Sequence, residues 1–208
     1  MNMAIQEQIL NEIKKFKTII IHRHKRPDPD AIGSQMGLAQ LIKASFPDKQ
    51  VLCAGKQYES FEWLGKTDEI ADEQYQDALV IVVDTANQPR VDDDRYTKGK
   101  ALIKIDHHPN DDQFGDIMWV EPDASSTSEL IYDFYDSNKD QLTLPSEGAR
   151  LLYAGIVGDT GRFMYPSTSS HTLEVAAKLA TYDFSTSDVN QIEDEIDIPL
   201  ARLSAYVY

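Results

Sequence analysis

Short β-branched runs that each end on a carboxylate or an imidazole constrain this chain more than any other feature. Thr18-Ile19-Ile20-Ile21 leads into a polar turn, His22 to Asp30, stiffened by Pro27 and Pro29. Leu79 to Val83 ends at Asp84, and Ala101 to Ile105 ends at Asp106-His107-His108. Continuous apolar runs of this length read as strands buried on both faces. Val51-Leu52-Cys53-Ala54 and Ile117-Met118-Trp119-Val120 add two more. Helical spacing runs from Ala4 to Phe16 (Ile5, Ile9, Ile13 and Phe16 on one face), from Ala31 to Phe46, and again from Ser125 to Tyr135, Ser146 to Val157 and Thr172 to Ala180. Asp30 stands at the start of the second helix, where free amides and the helix dipole favour a carboxylate. Ser126 and Glu129 have capping-box spacing at the start of the third. This alternation predicts an α/β fold: a mostly parallel sheet with helices on both faces. Ligands in such folds collect beyond the carboxyl ends of the strands. One topology therefore brings segments about 80 residues apart into one crevice.

Bulk properties narrow the function. The 208 residues suffice for one substantial core, and no apolar run approaches the roughly 18 residues of a membrane span. The N-terminus carries Glu7 and Glu12 in place of a basic stretch and apolar block, so no secretory signal is read. Cys53 is the sole cysteine, which excludes an internal disulfide and fits a cytoplasmic protein. A formal charge of −15 repels long nucleic acid and suits divalent cations.

Residues 1–182 read as one catalytic domain. The acidic stretch from Asp183 to Ile198, followed by a helix-like pattern opened by Pro199, reads as a linker and the start of a connecting helix. A pattern that breaks off at Tyr208 points to a second domain beyond the chain, the alternative being a naturally short protein.

The chemistry lies in the clusters. His24, Asp28 and Asp30 sit at spacings of four and two in a stiff loop; Asp84 and Asp106-His107-His108 follow strands; Asp159 follows Gly155-Ile156-Val157-Gly158. Each has a bland reading: an acidic turn for Asp28-Pro29-Asp30, a hydrogen-bonding role for His24, a cap for Asp84 or Asp159. Together they read as a binuclear metal site able to hydrolyse phosphate esters. Mixed nitrogen and oxygen ligands without thiolate favour manganese, iron, cobalt or zinc over magnesium, with manganese the first choice. His22 stands in a strand-like i,i+2 relation to His24, which places it on the same side, the bland reading being a surface histidine or a partner behind the ligands. Lys25, Arg26 and Arg162 are candidates for a substrate phosphate. His171 reads as helix-start polarity, and Tyr132, Phe134 and Tyr135 as packing.

These residues resemble the DHH phosphoesterases, the superfamily named for the triplet seen here as Asp106-His107-His108. His24-Lys25-Arg26-Pro27-Asp28-Pro29-Asp30-Ala31-Ile32-Gly33-Ser34 and Gly158-Asp159-Thr160-Gly161-Arg162-Phe163 most resemble the nanoRNase/pAp-phosphatase branch. The resemblance runs from about residue 5 to the end of the chain. It implies two metal ions, usually manganese: His24, Asp28 and Asp84 on the first, and Asp30, Asp84, His107 and Asp159 on the second, with Asp84 as the bridge. His108 would face the substrate phosphate, making His108 and Asp84 the catalytic pair, with Arg26 and Arg162 as further substrate contacts. The implied reaction is attack by metal-activated water on very short RNA, on 3′-phosphoadenosine 5′-phosphate (pAp), or on both. The resemblance also implies a smaller carboxyl-terminal domain with a glycine-rich, histidine-containing substrate clamp, and no such stretch occurs here. Weak turnover by this chain is therefore expected, and a homodimer is left open. The alternatives are a manganese inorganic pyrophosphatase, a cyclic-dinucleotide phosphodiesterase, and a metal- or nucleotide-binding module without catalysis.

Overall fold

The computed structural model describes residues 3–194. Five parallel strands, β1 (Thr18–His22), β2 (Gln50–Cys53), β3 (Leu79–Val83), β4 (Ala101–Asp106) and β5 (Ile117–Val120), lie in the order β2-β1-β3-β4-β5. Six α-helices accompany them: α1 (Ile5–Lys15), α2 (Pro29–Ser45), α3 (Thr127–Ser137), α4 (Ser146–Asp159), α5 (Ser170–Leu179) and α6 (Thr186–Asp194). None among the described residues is long and apolar enough to cross a membrane.

The two faces of the sheet are covered differently. Ile19, Ile21, Leu79, Ile81, Val83, Ile103 and Ile105 share one large core with side chains from all six α-helices. The alternate residues Ile20, Val80 and Val82 pack in a smaller cluster with Tyr75, Tyr96 and Phe114. Tyr75 and Tyr96 come from single 3-10 turns, Asp72–Tyr75 and Asp94–Lys98. The expected helical cover of this second face is thus short 3-10 turns and loops. The connections that form it, residues 54–78 and 84–100, are rich in Asp, Glu and Gln and lack an apolar stripe of helical period.

Strand order places the site. The chain goes from β1 to β2 on one side, then crosses back so that β3 lies on β1's other flank. The split between these opposite excursions is where open parallel sheets form a ligand crevice. His24 leaves the end of β1 and Asp84 the end of β3, so both stand at this switch point.

Several element boundaries move, each with chemical consequences. α2 begins at Pro29, not Ala31, because the Asp28 carboxylate caps it by accepting from the Ala31 amide at 2.9 Å. α4 continues past Val157 to Asp159, which puts that carboxylate at a helix C-terminus. The stretch from Asp183, expected to begin a linker, contains α6, whose Val189 is buried and whose Asn190 donates to the Tyr153 hydroxyl of α4. The connecting helix expected at Pro199 lies outside the described residues.

Helices α2, α3 and α4 meet without room for side chains at two glycines. A Cβ on Gly33 would lie 2.6 Å from the Leu151 carbonyl oxygen. A Cβ on Gly155 would lie 2.0 Å from Ser128 Oγ and 2.8 Å from Asp30 Oδ1. Gly155→Ala is expected to cost about 3 kcal/mol, the upper range for overpacking, and to push Asp30 aside. Urea unfolding measures this; a loss under about 1 kcal/mol would mean that the crossing relaxes freely.

Candidate metal centre

His24 is held just beyond β1 by a backbone bridge to Val91 and is 2 % exposed. Its Nδ1 lies 2.9 Å from the Lys25 carbonyl oxygen, which fixes that nitrogen as the N–H donor. Nε2 is thereby turned toward Asp28 Oδ2 at 3.4 Å and Asp84 Oδ2 at 3.3 Å. Asp84 is buried and has left-handed backbone, φ 48°, a conformation costly for a side chain bearing a Cβ. Its second oxygen accepts from Thr127 Oγ1 at 3.2 Å and lies 3.5 Å from His107 Nε2. One carboxylate therefore presents an oxygen to each of two histidines from different loops.

Asp30 is wholly buried, and its role differs from the dipole argument made for α2. Its oxygens accept from the Thr127 amide at 2.7 Å and the Ser128 amide at 2.9 Å, the first turn of α3. Asp30 thus caps a helix almost a hundred residues downstream. Ser126 supplies the local cap by accepting from the Glu129 amide. The anticipated reciprocal half is altered, since Glu129 instead accepts from the Ser125 hydroxyl at 2.7 Å.

His107 Nδ1 faces the Ala124 carbonyl at 3.3 Å. Its Nε2 is buried 3.0 Å from Asp159 Oδ2, yet makes no hydrogen bond. Such a nitrogen, aimed at carboxylates but outside hydrogen-bond geometry, suits a lone pair directed at a cation. His108 stacks edge-on against His107 and gives its Nδ1 to Asp106 Oδ1 at 2.9 Å. Three groups place ligand atoms within 4.8 Å of one another: His24, Asp28 and Asp84; Asp30, His107 and Asp159; and Asp84, His107 and His108.

Crowding sets the electrostatics. Burial, then the neighbouring Asp84 and Asp159 charges, holds the Asp30 carboxyl well above its ordinary range. Burial also raises Asp159, aided by Asp84 and opposed by His107. Burial works against charge on His24, but Asp28 and Asp84 overcome it and carry the ring up to about 10. His107 likewise reaches about 10 against burial, through Asp159, Asp30 and Asp84. These shifts favour protonated imidazoles facing the carboxylates, an electrostatic setting that divalent cations would also satisfy. The donor set fits such ions: hard carboxylates, neutral-capable imidazoles and no thiolate nearby. Cys53 is buried on β2, and its thiol is pushed up to about 12 by that burial.

Other candidates fall elsewhere. His22 points into the second-face cluster, with Nε2 3.1 Å from the Tyr75 hydroxyl, and burial lowers it to about 4. It does not share a side with His24, because the strand ends between them. Arg26 and Arg162 are exposed, and both have left-handed backbone, φ 52° and 60°. Burial pushes the nearby Glu193 of α6 up to about 8 against the pull of Arg162. His171 pairs with Asp133 at 2.9 Å on the surface. Tyr132 and Phe134 are buried in the core and Tyr135 packs against it. The hydroxyl run Ser125-Ser126-Thr127-Ser128, buried throughout, was visible only as a helix start. Its part in holding Asp30 and Asp84 depends on a contact between distant segments.

A Streptococcus mutans protein named as a probable bifunctional oligoribonuclease and PAP phosphatase is 51 % identical over 206 residues, covering 99 % of this chain and 66 % of that protein. The Bacillus subtilis bifunctional oligoribonuclease and PAP phosphatase is 44 % identical, covering 98 % of this chain and again 66 % of the relative. The chain therefore spans just under two thirds of the length of these relatives. A crystal structure of an exopolyphosphatase-related protein from Bacteroides fragilis superposes with a TM-score of 0.86 at 26 % identity, over 98 % of this chain and 64 % of its own. Residues 18–156, from the first strand through most of α4, match the DHH family, N-terminal domain, and the chain belongs to that family.

Proposed function

We propose that this chain is the catalytic part of a metal-dependent phosphoesterase that hydrolyses very short RNA and pAp. Asp84 carries the reading: its two oxygens serve two clusters of imidazole and carboxylate, the arrangement a bridging ligand requires. The names of the Streptococcus mutans and Bacillus subtilis relatives supply the substrate classes.

In this reading His24, Asp28 and Asp84 hold one ion, and Asp30, Asp84, His107 and Asp159 the other. Four aspartates balance the charge of two divalent cations once the histidines are neutral. When bound, the ions, manganese by donor type, would lower the pKa of a water and offset charge on the phosphoryl oxygens. The Lys25 carbonyl keeps the proton of His24 on Nδ1, leaving Nε2 as a donor of its lone pair. The α3 amides keep both Asp30 oxygens in place. His108, with Nδ1 committed to Asp106, presents Nε2 to the substrate phosphate, and Arg26 and Arg162 contact it from the rim. In this reading the catalytic unit takes in α6 beyond residues 1–182, since Val189 joins the main core, and a substrate clamp would lie in the part of the relatives that this chain does not span.

Parallel assays with manganese on a two- to five-nucleotide RNA, pAp and pyrophosphate test the proposal. RNA and pAp should be cleaved and pyrophosphate spared. Preference for pyrophosphate would replace this reading with a pyrophosphatase. A version extended past Tyr208 should turn over faster, and equal rates would remove the argument for a separate clamp.

A further inference from the structure

β4 carries a lysine that no part of the reaction described above uses. Lys104 alternates with Ile103 and Ile105 and points to the second face of the sheet, where its side chain is 0 % exposed. Fully buried lysines are rare unless paired. This one donates to the Ala86 carbonyl at 3.1 Å, Asn110 Oδ1 at 3.3 Å and the Asp112 carbonyl at 3.4 Å, and its Nζ stands 4.7 Å from the Phe114 ring centre. It also lies 3.4 Å from Asp106 Oδ2, an oxygen with no hydrogen-bond partner of its own. Asp106 is equally buried, and its other oxygen accepts from the His108 amide at 3.2 Å and from His108 Nδ1 at 2.9 Å.

Two consequences follow from these contacts. The ammonium ties the segment after Asp84, through Ala86, to the segment after His108, through Asn110 and Asp112. It also anchors one oxygen of Asp106, so that the other stays aimed at the imidazole. An acceptor at Nδ1 keeps the ring proton there and leaves Nε2 free on the opposite edge.

We propose that Lys104 is a positioning residue, which fixes the orientation and tautomer of His108 through Asp106 and locks together the two loops that flank the metal centre. The proposal deepens the functional reading above, since it assumes that His108 faces the substrate.

The test compares Lys104→Met, which keeps the length of the stem, with Lys104→Arg, which keeps the charge. Imidazole nitrogen NMR of the metal-free protein reports the His108 tautomer independently of turnover. The wild-type chain should show His108 as a single Nδ1–H species, Lys104→Met a mixture, and Lys104→Arg the wild-type pattern. In hydrolysis of a two-nucleotide RNA, kcat of Lys104→Met should fall about 10- to 100-fold, as for lost partners behind site histidines, with the metal equivalents bound unchanged. Should Lys104→Met fail to fold, Lys104→Gln keeps a polar donor toward the loop carbonyls while removing the charge that faces Asp106, and it should also give mixed tautomers. Retention of a single Nδ1–H species in the folded variant, with kcat within twofold of wild type, overturns the proposal. A wild-type chain that binds metal but cleaves none of the substrates would overturn the functional reading, while the tautomer comparison still decides the role of Lys104.

Discussion

Asp84→Ala should lower affinity for both metal equivalents at once, each by more than about 100-fold, and hydrolysis should fall at least as far. The basis is geometric: one Asp84 oxygen faces His24 at 3.3 Å and the other faces His107 at 3.5 Å. Even the partners behind a metal ligand are worth 10- to 100-fold, so a shared ligand sets a lower bound above that range. Asp28→Ala, by contrast, should weaken one equivalent and leave the other. Asp84→Asn serves as the control for folding, because asparagine tolerates the left-handed backbone at this position and can still accept from Thr127. Calorimetric titration with manganese counts the equivalents. Two equivalents and near-normal turnover in Asp84→Ala would mean that the clusters do not share a ligand.

Thermal stability of the metal-free protein should fall as pH rises from 7 toward 10, by about 5 °C or more, whereas the loaded protein should show little dependence. The sign comes from His24 and His107, both raised from 6.5 to about 10. Groups raised in the folded state contribute stability in full below the unfolded value, and lose it as pH passes through the folded value. Asp30 and Asp159 are also raised, and a raised carboxyl loses stability as pH climbs from the ordinary carboxylate value through its folded value. Metal displaces these protons, so loading at pH 7 should release protons to the buffer. Free manganese at about 100 times its dissociation constant stabilises by about 2.7 kcal/mol per site, which corresponds to a rise of about 5–10 °C for a chain of this size. Melting curves across pH, with and without manganese, decide the matter. A metal-free protein that grows more stable toward pH 10 would show that the histidines are not held by the carboxylates.

Much of this architecture could be read from residue order. Apolar runs announced β1, β3 and, interrupted only by Lys104, β4, because strands covered on both faces need no polar alternation. The imidazoles and carboxylates after those runs were visible as candidates for the same reason: in parallel strands the ends converge. Boundaries were less legible where a side chain acted in place of backbone. Asp28 starts α2 two residues early by capping it, and Asp30 leaves the amides of its own helix for those of α3. His22 and His24 were separated by the end of a strand that period alone does not mark. Lys104 passed as one polar residue in an apolar run, since its partners at Ala86, Asn110 and Asp112 come from loops.

By itself the amino-acid order determined the chemistry available and the side of the sheet on which it would gather. Ligand type is a property of the side chain, and parallel strands share a direction. Tertiary structure alone decided which oxygen serves which neighbour. It split Asp84 between two histidines, turned α3 into the clamp on Asp30, and sealed Lys104 against Asp106. The first two of these pairings join segments about 20 to 100 residues apart, and distances of a few ångströms between such segments depend on how α2, α3 and α4 pack across glycines.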